Sequence, residues 1–387
     1  TLKEWSYEEC MMHLNYATSP GLPWTLEQWT KAGLVEHPKF IEYYTKYRLS
    51  LETANPNPTF FSVALKEELR EAQKIRDEKT RTINAAPLEH TIACLQDLGD
   101  LQEQFNRMPL EGGHFAAFSP YFGGWDQYVK YMMKFKYSIE YDFSQYDSSI
   151  RLFFFFCFYD FINAFLPPED FARQRRVFNL IMQAAIAYCV LPNGDVFIKL
   201  FGNATGWFLT FLFNCFVNLL ISFLFHIEHR KNNSLKDYYS WFRIMTCGDD
   251  NHQTTNEPYD VNIYVKLCAE LGMILEPDGT WKDPLTSVFV SRHTVLWHNM
   301  YVSYGNISKM WCSLFYNFTQ IDIPTVINKL CAIRRDMYFS KDLYNKITDY
   351  ILYLLIRMKN DTSEEMRVAR SQFDSDRQIL YLHTGQR

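Results

Sequence analysis

Two β-prone runs in this chain end on carboxylates, and that pattern constrains its fold more than any other feature. Residues 137–142 (YSIEYD) alternate in the two-residue period of a strand and close on Asp142. Residues 241–247 (WFRIMTC) predict a second strand that enters Gly248-Asp249-Asp250. Glycine suits that junction because a tight hairpin turn often needs a positive φ. Side by side, the two strands bring three carboxylates to one edge of a sheet. Hard oxygen ligands gathered in this way suit Mg²⁺ held together with substrate phosphates. Gly-Asp-Asp alone is more often a polar turn, so the assignment depends on what surrounds it.

The 387 residues suffice for one large core or two to three coupled subdomains. A net charge of -5 gives no global signature of nucleic-acid binding, so any such contact must come from local basic clusters. The densest charged stretch runs from Lys66 to Arg81. The aromatic content of 17% suits both thick cores and stacking on bases. Nine cysteines occur without a CxxC pair, which argues for free thiols in a reducing compartment and against a disulfide framework or a zinc site. No signal peptide is visible, and the start at Thr1 without methionine is that expected of a processed or trimmed piece.

An aromatic helix is expected from Leu152 to Leu166, stopped by Pro167-Pro168, and Asn193-Gly194 marks a hairpin turn. Beyond about residue 300 the pattern is helical, with a slight excess of Lys and Arg suited to touching a nucleic-acid backbone. The apolar run 207–225 is long enough to cross a bilayer. Thr210, Asn214 and Asn218 recur every four residues along it and so share one helical face. Such a stripe is costly in lipid and natural in a buried helix that presents donors to a site, so no intrinsic membrane span is expected.

Together these segments resemble viral RNA-dependent RNA polymerases of the picornavirus-like supergroup. Asp142-Phe143-Ser144-Gln145-Tyr146-Asp147 resembles motif A, with two aspartates separated by four positions. Gly202-Asn203-Ala204-Thr205-Gly206, followed by Thr210 and Asn214, resembles motif B, usually S-G-x3-T-x3-N. Thr246-Cys247-Gly248-Asp249-Asp250 resembles motif C. Lys66-Glu67-Glu68-Leu69-Arg70 with Lys74 and Lys79-Thr80-Arg81 is similar to motif F. Thr18-Ser19-Pro20-Gly21-Leu22-Pro23 is similar to motif G, Lys282 falls where motif D places a lysine, and Phe289-Val290-Ser291-Arg292 is similar to motif E. The departures are Thr205 for the usual serine, Cys247 where tyrosine is common and Ser291 where lysine is common. None removes a metal ligand.

The resemblance implies an α+β right-hand polymerase fold with fingers, an antiparallel-sheet palm and a helical thumb. Fingers are expected at 1–136 with an insertion at 155–195, palm at 137–154 and 196–300, and thumb at 301–387. Because motif G begins near residue 18, sequence upstream of residue 1 is also expected. Asp142, Asp249 and Asp250 are the implied metal ligands and catalytic residues, with Lys282 a general acid for the leaving pyrophosphate. Two Mg²⁺ ions are implied, with Mn²⁺ a substitute. Arg81, Lys66, Lys74 and Arg70 would meet the incoming triphosphate, and Asp147, Thr205 and Asn214 its ribose. Ser19, Gly21 and Arg292 would touch RNA. The implied partners are RNA template, nascent RNA, NTPs, a viral protein primer and other replication proteins, in a membrane-associated replication complex of the host cytoplasm. Two rivals are a reverse transcriptase, which normally has a bulky residue at the place of Asp147, and a non-catalytic membrane or RNA-binding scaffold. A scaffold has no physical need for three clustered charges.

Overall fold

The computed structural model describes residues 1–386 apart from 69, 71, 277–278 and 316–320. In chain order the first strands are β1 (Phe60–Leu65), β2 (Thr82–Ala85), β3 (Tyr137–Ser144), β4 (Ala187–Val190) and β5 (Val196–Lys199). Then follow β6 (Phe242–Cys247), β7 (Asp250–Thr255), β8 (Ile274–Glu276), β9 (Arg292–Trp297) and β10 (Met300–Gly305). They form sheets ordered β2-β1-β4-β5, β6-β7-β3-β8 and β9-β10, with helices around them in an α+β arrangement.

The antiparallel sheet β6-β7-β3-β8 is the scaffold of interest. β6 and β7 form a hairpin that pairs Cys247 with Asp250, leaving Gly248-Asp249 as a two-residue turn. Gly248 takes φ 67° at the first turn position, where two-residue hairpin loops favour glycine. β3 pairs with β7 from Tyr137↔Thr255 to Tyr141↔Asn251. β3 does not end at Asp142 as its residue pattern suggested. Asp142, Phe143 and Ser144 pair with β8 once β7 has run out, so the strand continues to Ser144. The hairpin expected at Asn193-Gly194 joins β4 to β5, with Gly194 at φ 93°.

The long apolar helix spans Thr210–Arg230, starting three residues into the apolar run 207–225. Residues before it cross the β1–β2 region: Gly206 N–H donates to Asn84 O at 3.0 Å and Ala86 N–H donates to Gly206 O at 3.3 Å. Any side chain at 206 would meet this backbone, since a Cβ would lie 2.4 Å from Asn84 O. Asn214, Asn218, Ser222 and His226, spaced by four, are all buried on one face. Ser222 shares a 2.8 Å hydrogen bond with Tyr238, and Trp241 Nε1 donates to His226 Nδ1 at 3.0 Å. Among the described residues this helix alone is long and apolar enough to cross a membrane, and 56% of its apolar window is buried in the fold. Its polar stripe thus has protein partners, as a core helix requires.

The largest apolar core joins the N-terminal helices to the central sheet, including Trp24, Phe61, Leu98, Ile139, Phe155 and Phe213. The C-terminal helices have a separate core of Ile327, Leu330, Ile347, Ile351 and Met366. Between them, Phe115, Trp125, Tyr128 and Phe289 pack beneath the approach to the β9–β10 hairpin.

Candidate active site

The register of β3 on β7 brings the first two carboxylates together. The paired register ends at Tyr141↔Asn251, so Asp142 and Asp250 leave it at the same edge, close enough for the Asp142 charge to act on Asp250. Both line a cleft of about 360 Å³. Asp249 occupies the adjoining turn, held from below by the Thr210–Arg230 helix. Asn218, fully buried, donates from Nδ2 to Gly248 O at 2.8 Å and accepts from Asn251 Nδ2 at 3.1 Å. On the other side of β3, Glu276 pairs with Asp142. Glu276 is the last residue of β8.

The carboxylates repel. Crowding by surrounding atoms, then the charges of Asp249 and Asp142, push the Asp250 carboxyl up to about 6, and Lys309 acts in the opposite direction. Such a cluster favours a counter-cation, and hard carboxylate oxygens are the ligand type that Mg²⁺ prefers. Among the described residues no three acidic, histidine or cysteine groups close a cage by themselves. Magnesium commonly takes only one or two carboxylates, with substrate phosphates and water completing its shell, so these residues fit the ion.

Beyond β3 the chain bends at Gln145, at φ 53°, and turns Asp147 into a short helix, Tyr146–Ser149. Asp147 Oδ1 accepts from Asn214 Nδ2 at 2.9 Å and from Asn203 Nδ2 at 3.3 Å. Asn203 Nδ2 also donates to Asn214 Oδ1 at 3.0 Å, while its own oxygen accepts from Trp207 Nε1 at 2.8 Å. Burial pushes the Asp147 carboxyl above its ordinary range; the Asn214 and Asn203 bonds oppose this and the charge of Asp249 adds to it. Thr205 stands nearby, its hydroxyl accepting from Asn84 N–H at 3.4 Å. The structure therefore joins Asp147, Asn203 and Asn214 in one hydrogen-bonded corner, with Thr205 two residues beyond Asn203 against β2. Asn203 was not singled out because a lone asparagine carries no periodic signal, whereas Asn218 belongs to the polar stripe that the sequence shows on the helix face.

The basic stretch lies across the site. Arg81 pairs with Glu68 and also feels the charges of Asp249 and Asp147, which raise its pKa. Lys66 pairs with Glu68 at 3.5 Å, and Arg70 Nη2 donates to Lys79 O at 2.9 Å. Lys74 sits in the helix Ala72–Arg76, and Leu69 of this motif lies outside the described residues. The remaining candidates are placed as follows. Lys282 is bridged by backbone to Ser138, four residues before Asp142, and its ammonium bonds Glu140 Oε2 at 2.6 Å. Arg292 bonds Asp336 at 2.8 Å and Ser303 Oγ at 2.9 Å, so any contact with RNA competes with an internal ion pair. Gly21 packs on Pro87, and its N–H donates to Ser19 Oγ at 3.1 Å.

A family model described as viral RNA-dependent RNA polymerase matches residues 2–359. Genome polyprotein 1 of Barley mild mosaic virus (strain Na1) is 23% identical over 97% of the chain, which spans 17% of that polyprotein. The genome polyprotein of Theiler's murine encephalomyelitis virus (strain BeAn 8386) is 26% identical over 70% of the chain and 12% of its own length. The non-structural polyprotein 1AB of Ovine astrovirus 1 is 25% identical over 70% of the chain and 20% of its length. Among solved structures, a Sicinivirus 3Dpol RNA-dependent RNA polymerase superposes with a TM-score of 0.78 at 18% identity. That match covers 96% of this chain and 82% of the other, and it carries the right-hand polymerase fold.

Proposed function

The chain belongs to the viral RNA-dependent RNA polymerases, enzymes of RNA-templated RNA synthesis, and for it we propose nucleotidyl transfer at the carboxylate edge of the β3–β7 sheet. The observation that carries this reading is the β3–β7 register, which brings Asp142 and Asp250 to one edge of the sheet and into one cleft, with Asp249 in the adjoining turn. These three residues would hold divalent metal. Two Mg²⁺ ions, or Mn²⁺ in their place, would supply charge stabilisation for the attacking 3′-oxygen and the leaving pyrophosphate.

The chain's own groups do the rest. Arg81, with Lys66, Arg70 and Lys74 in the same stretch, meets the triphosphate through charge-assisted bonds. Asp147, held by Asn203 and Asn214, presents its carboxylate to the ribose, with the Thr205 hydroxyl beside it. Lys282 is the candidate proton donor to pyrophosphate, a role that requires its ammonium to leave Glu140. Ser19, Gly21 and Arg292 are the candidate RNA contacts. Residues 1–136 and 155–195 would act as fingers, 137–154 and 196–300 as palm, and 301–387 as thumb. A protein primer, other replication proteins and a membrane-associated complex in the host cytoplasm complete the proposal.

The test is RNA synthesis by the purified chain on an RNA template with NTPs, with and without an RNA primer. Product is expected with Mg²⁺, lost with a chelator and restored by Mg²⁺ or Mn²⁺. Absence of RNA product from folded protein in Mg²⁺ would overturn the reading.

A further inference from the structure

Asn203 is fully buried, and every polar group it carries is used. Its N–H donates to Asp147 O at 2.6 Å, and its side-chain amide bonds Asp147, Asn214 and Trp207. Its own carbonyl accepts from Lys199 Nζ at 2.5 Å. Lys199 is the last residue of β5, the edge strand of its sheet. Gly202, at φ 83°, brings the lysine and the aspartate together: a Cβ there would lie 2.9 Å from Asp147 O and 3.0 Å from Lys199 Cε. The lysine stem and the Asp147 backbone thus pack against one residue that has no side chain.

Lys199 differs from the other cations around the site. Arg81 and Lys66 pair with Glu68, Lys282 with Glu140 and Arg292 with Asp336. Lys199 is half-buried and, among the described residues, bonds no carboxylate, only the neutral Asn203 carbonyl. Burial lowers its pKa, while Cys189 and Asp147 act against this. Burial also pushes the Cys189 thiol up, so that group is neutral at neutral pH and Asp147 is the charge left to compensate the ammonium. Seen from Asp147, the neighbouring Asp249 disfavours the carboxylate and Lys199 favours it. Arg81 is the other cation that feels Asp147, and Tyr146 beside it stays a neutral phenol because burial raises its pKa.

Resting on the ribose role proposed for Asp147, we propose that Lys199 is a positioning residue for the choice of sugar. From β5 it holds the 202–203 loop against Asp147 and keeps that carboxylate charged in spite of Asp249. A charged carboxylate accepts a hydroxyl proton about twice as strongly as a neutral acceptor does, so a 2′-hydroxyl is recognised only while Asp147 is ionised.

Two measurements test this. The first needs no catalysis: a double-mutant cycle of Lys199→Met and Asp147→Asn, read by denaturant unfolding in metal-free buffer. The two side chains are expected to couple by about 3- to 10-fold in the unfolding equilibrium at neutral pH. Lys199 favours only the ionised carboxyl, whose pKa in the fold lies above 3.8. The coupling should therefore be present at neutral pH and disappear as the pH falls towards 3.8 and Asp147 takes up its proton. The second is the ratio of kcat/KM for ATP and dATP on one RNA template across pH. Lys199→Met and Lys199→Gln are expected to lower that ratio about 3- to 10-fold at neutral pH. The parent ratio should return at higher pH, where Asp147 ionises without help, and Lys199→Arg should keep it throughout. Lys199→Gln retains a donor for the Asn203 carbonyl, so a parent ratio in that variant would reduce Lys199 to a tether and overturn the proposal. An absent or pH-independent coupling would overturn it too, as would equal losses with ATP and dATP at every pH, the mark of a phosphate contact. A pH-dependent coupling with parent ratios in both Lys199→Met and Asp147→Asn would instead refute the ribose role of Asp147 and leave the pairing of the two charges standing.

Discussion

Removing the Asn214 side chain should cost the enzyme its choice of sugar. Both amide donors, from Asn214 and Asn203, land on Oδ1 of Asp147, which leaves Oδ2 to accept from a ribose 2′-hydroxyl. Asn214→Ala deletes the shorter of the two bonds and leaves the Asn203 amide without its 3.0 Å acceptor. A hydrogen bond to a charged group contributes about 1.5–3 kcal/mol, so the orientation of Asp147 loses support of that order. If this orientation recognises the 2′-hydroxyl, the preference for NTP over dNTP should fall by roughly 10- to 150-fold, mostly through poorer use of NTP. Asp147→Ala removes the acceptor itself and should lose at least as much. The assay is the ratio of kcat/KM for ATP and dATP on one RNA template. Should both variants keep the parent ratio while total activity drops, the three residues merely tie the β3 bend to the Thr210–Arg230 helix.

Asp249→Ala should abolish nucleotide addition, and full activity in metal-controlled buffer would refute the role. In metal-free buffer it should also raise Tm slightly, because the charge of Asp249 helps to lift the Asp250 carboxyl from 3.8 to about 6. A folded-state pKa raised in this way means that folding binds a proton. The group's penalty is therefore fully present above about pH 6 and fades as the pH falls towards 3.8, and the Tm gain of the variant should fade with it. Arg81→Ala should reduce kcat/KM for NTP by about 10- to 150-fold, as expected for a lost charge-assisted phosphate contact. If RNA affinity falls instead, Arg81 belongs to the template path. Asp97→Ala should destabilise the chain by about 3–5 kcal/mol in denaturant titrations. The fully buried Asp97 carboxylate accepts from Arg48 at 3.1 Å and Arg176 at 3.0 Å, and both guanidinium groups would lose a buried partner. A loss below about 1 kcal/mol would show the network to be dispensable.

The sequence by itself determined the features that depend on near neighbours. The strand period before Asp142, the glycine at the 248 turn, the Asn193-Gly194 hairpin and the four-residue stripe Thr210, Asn214 and Asn218 are all written in short windows. Backbone sterics and side-chain direction act within a few residues, so such windows suffice. What only the tertiary structure decided is which of those groups meet. The end of β3 moved to Ser144 because a second partner strand, β8, takes over where β7 stops. The long helix began at Thr210 because the chain before it crosses the backbone of Asn84 and Ala85. Asn218 secures the Gly248 carbonyl from 30 residues away, Asn203 reaches Asp147 across 56, and Arg292 closes on Asp336 across 44. A hydrogen bond or ion pair depends on distances of about 3 Å between atoms whose separation along the chain is arbitrary. Those distances exist only after the sheets and helices have packed, so residue types could nominate the chemistry while packing assigned the partners.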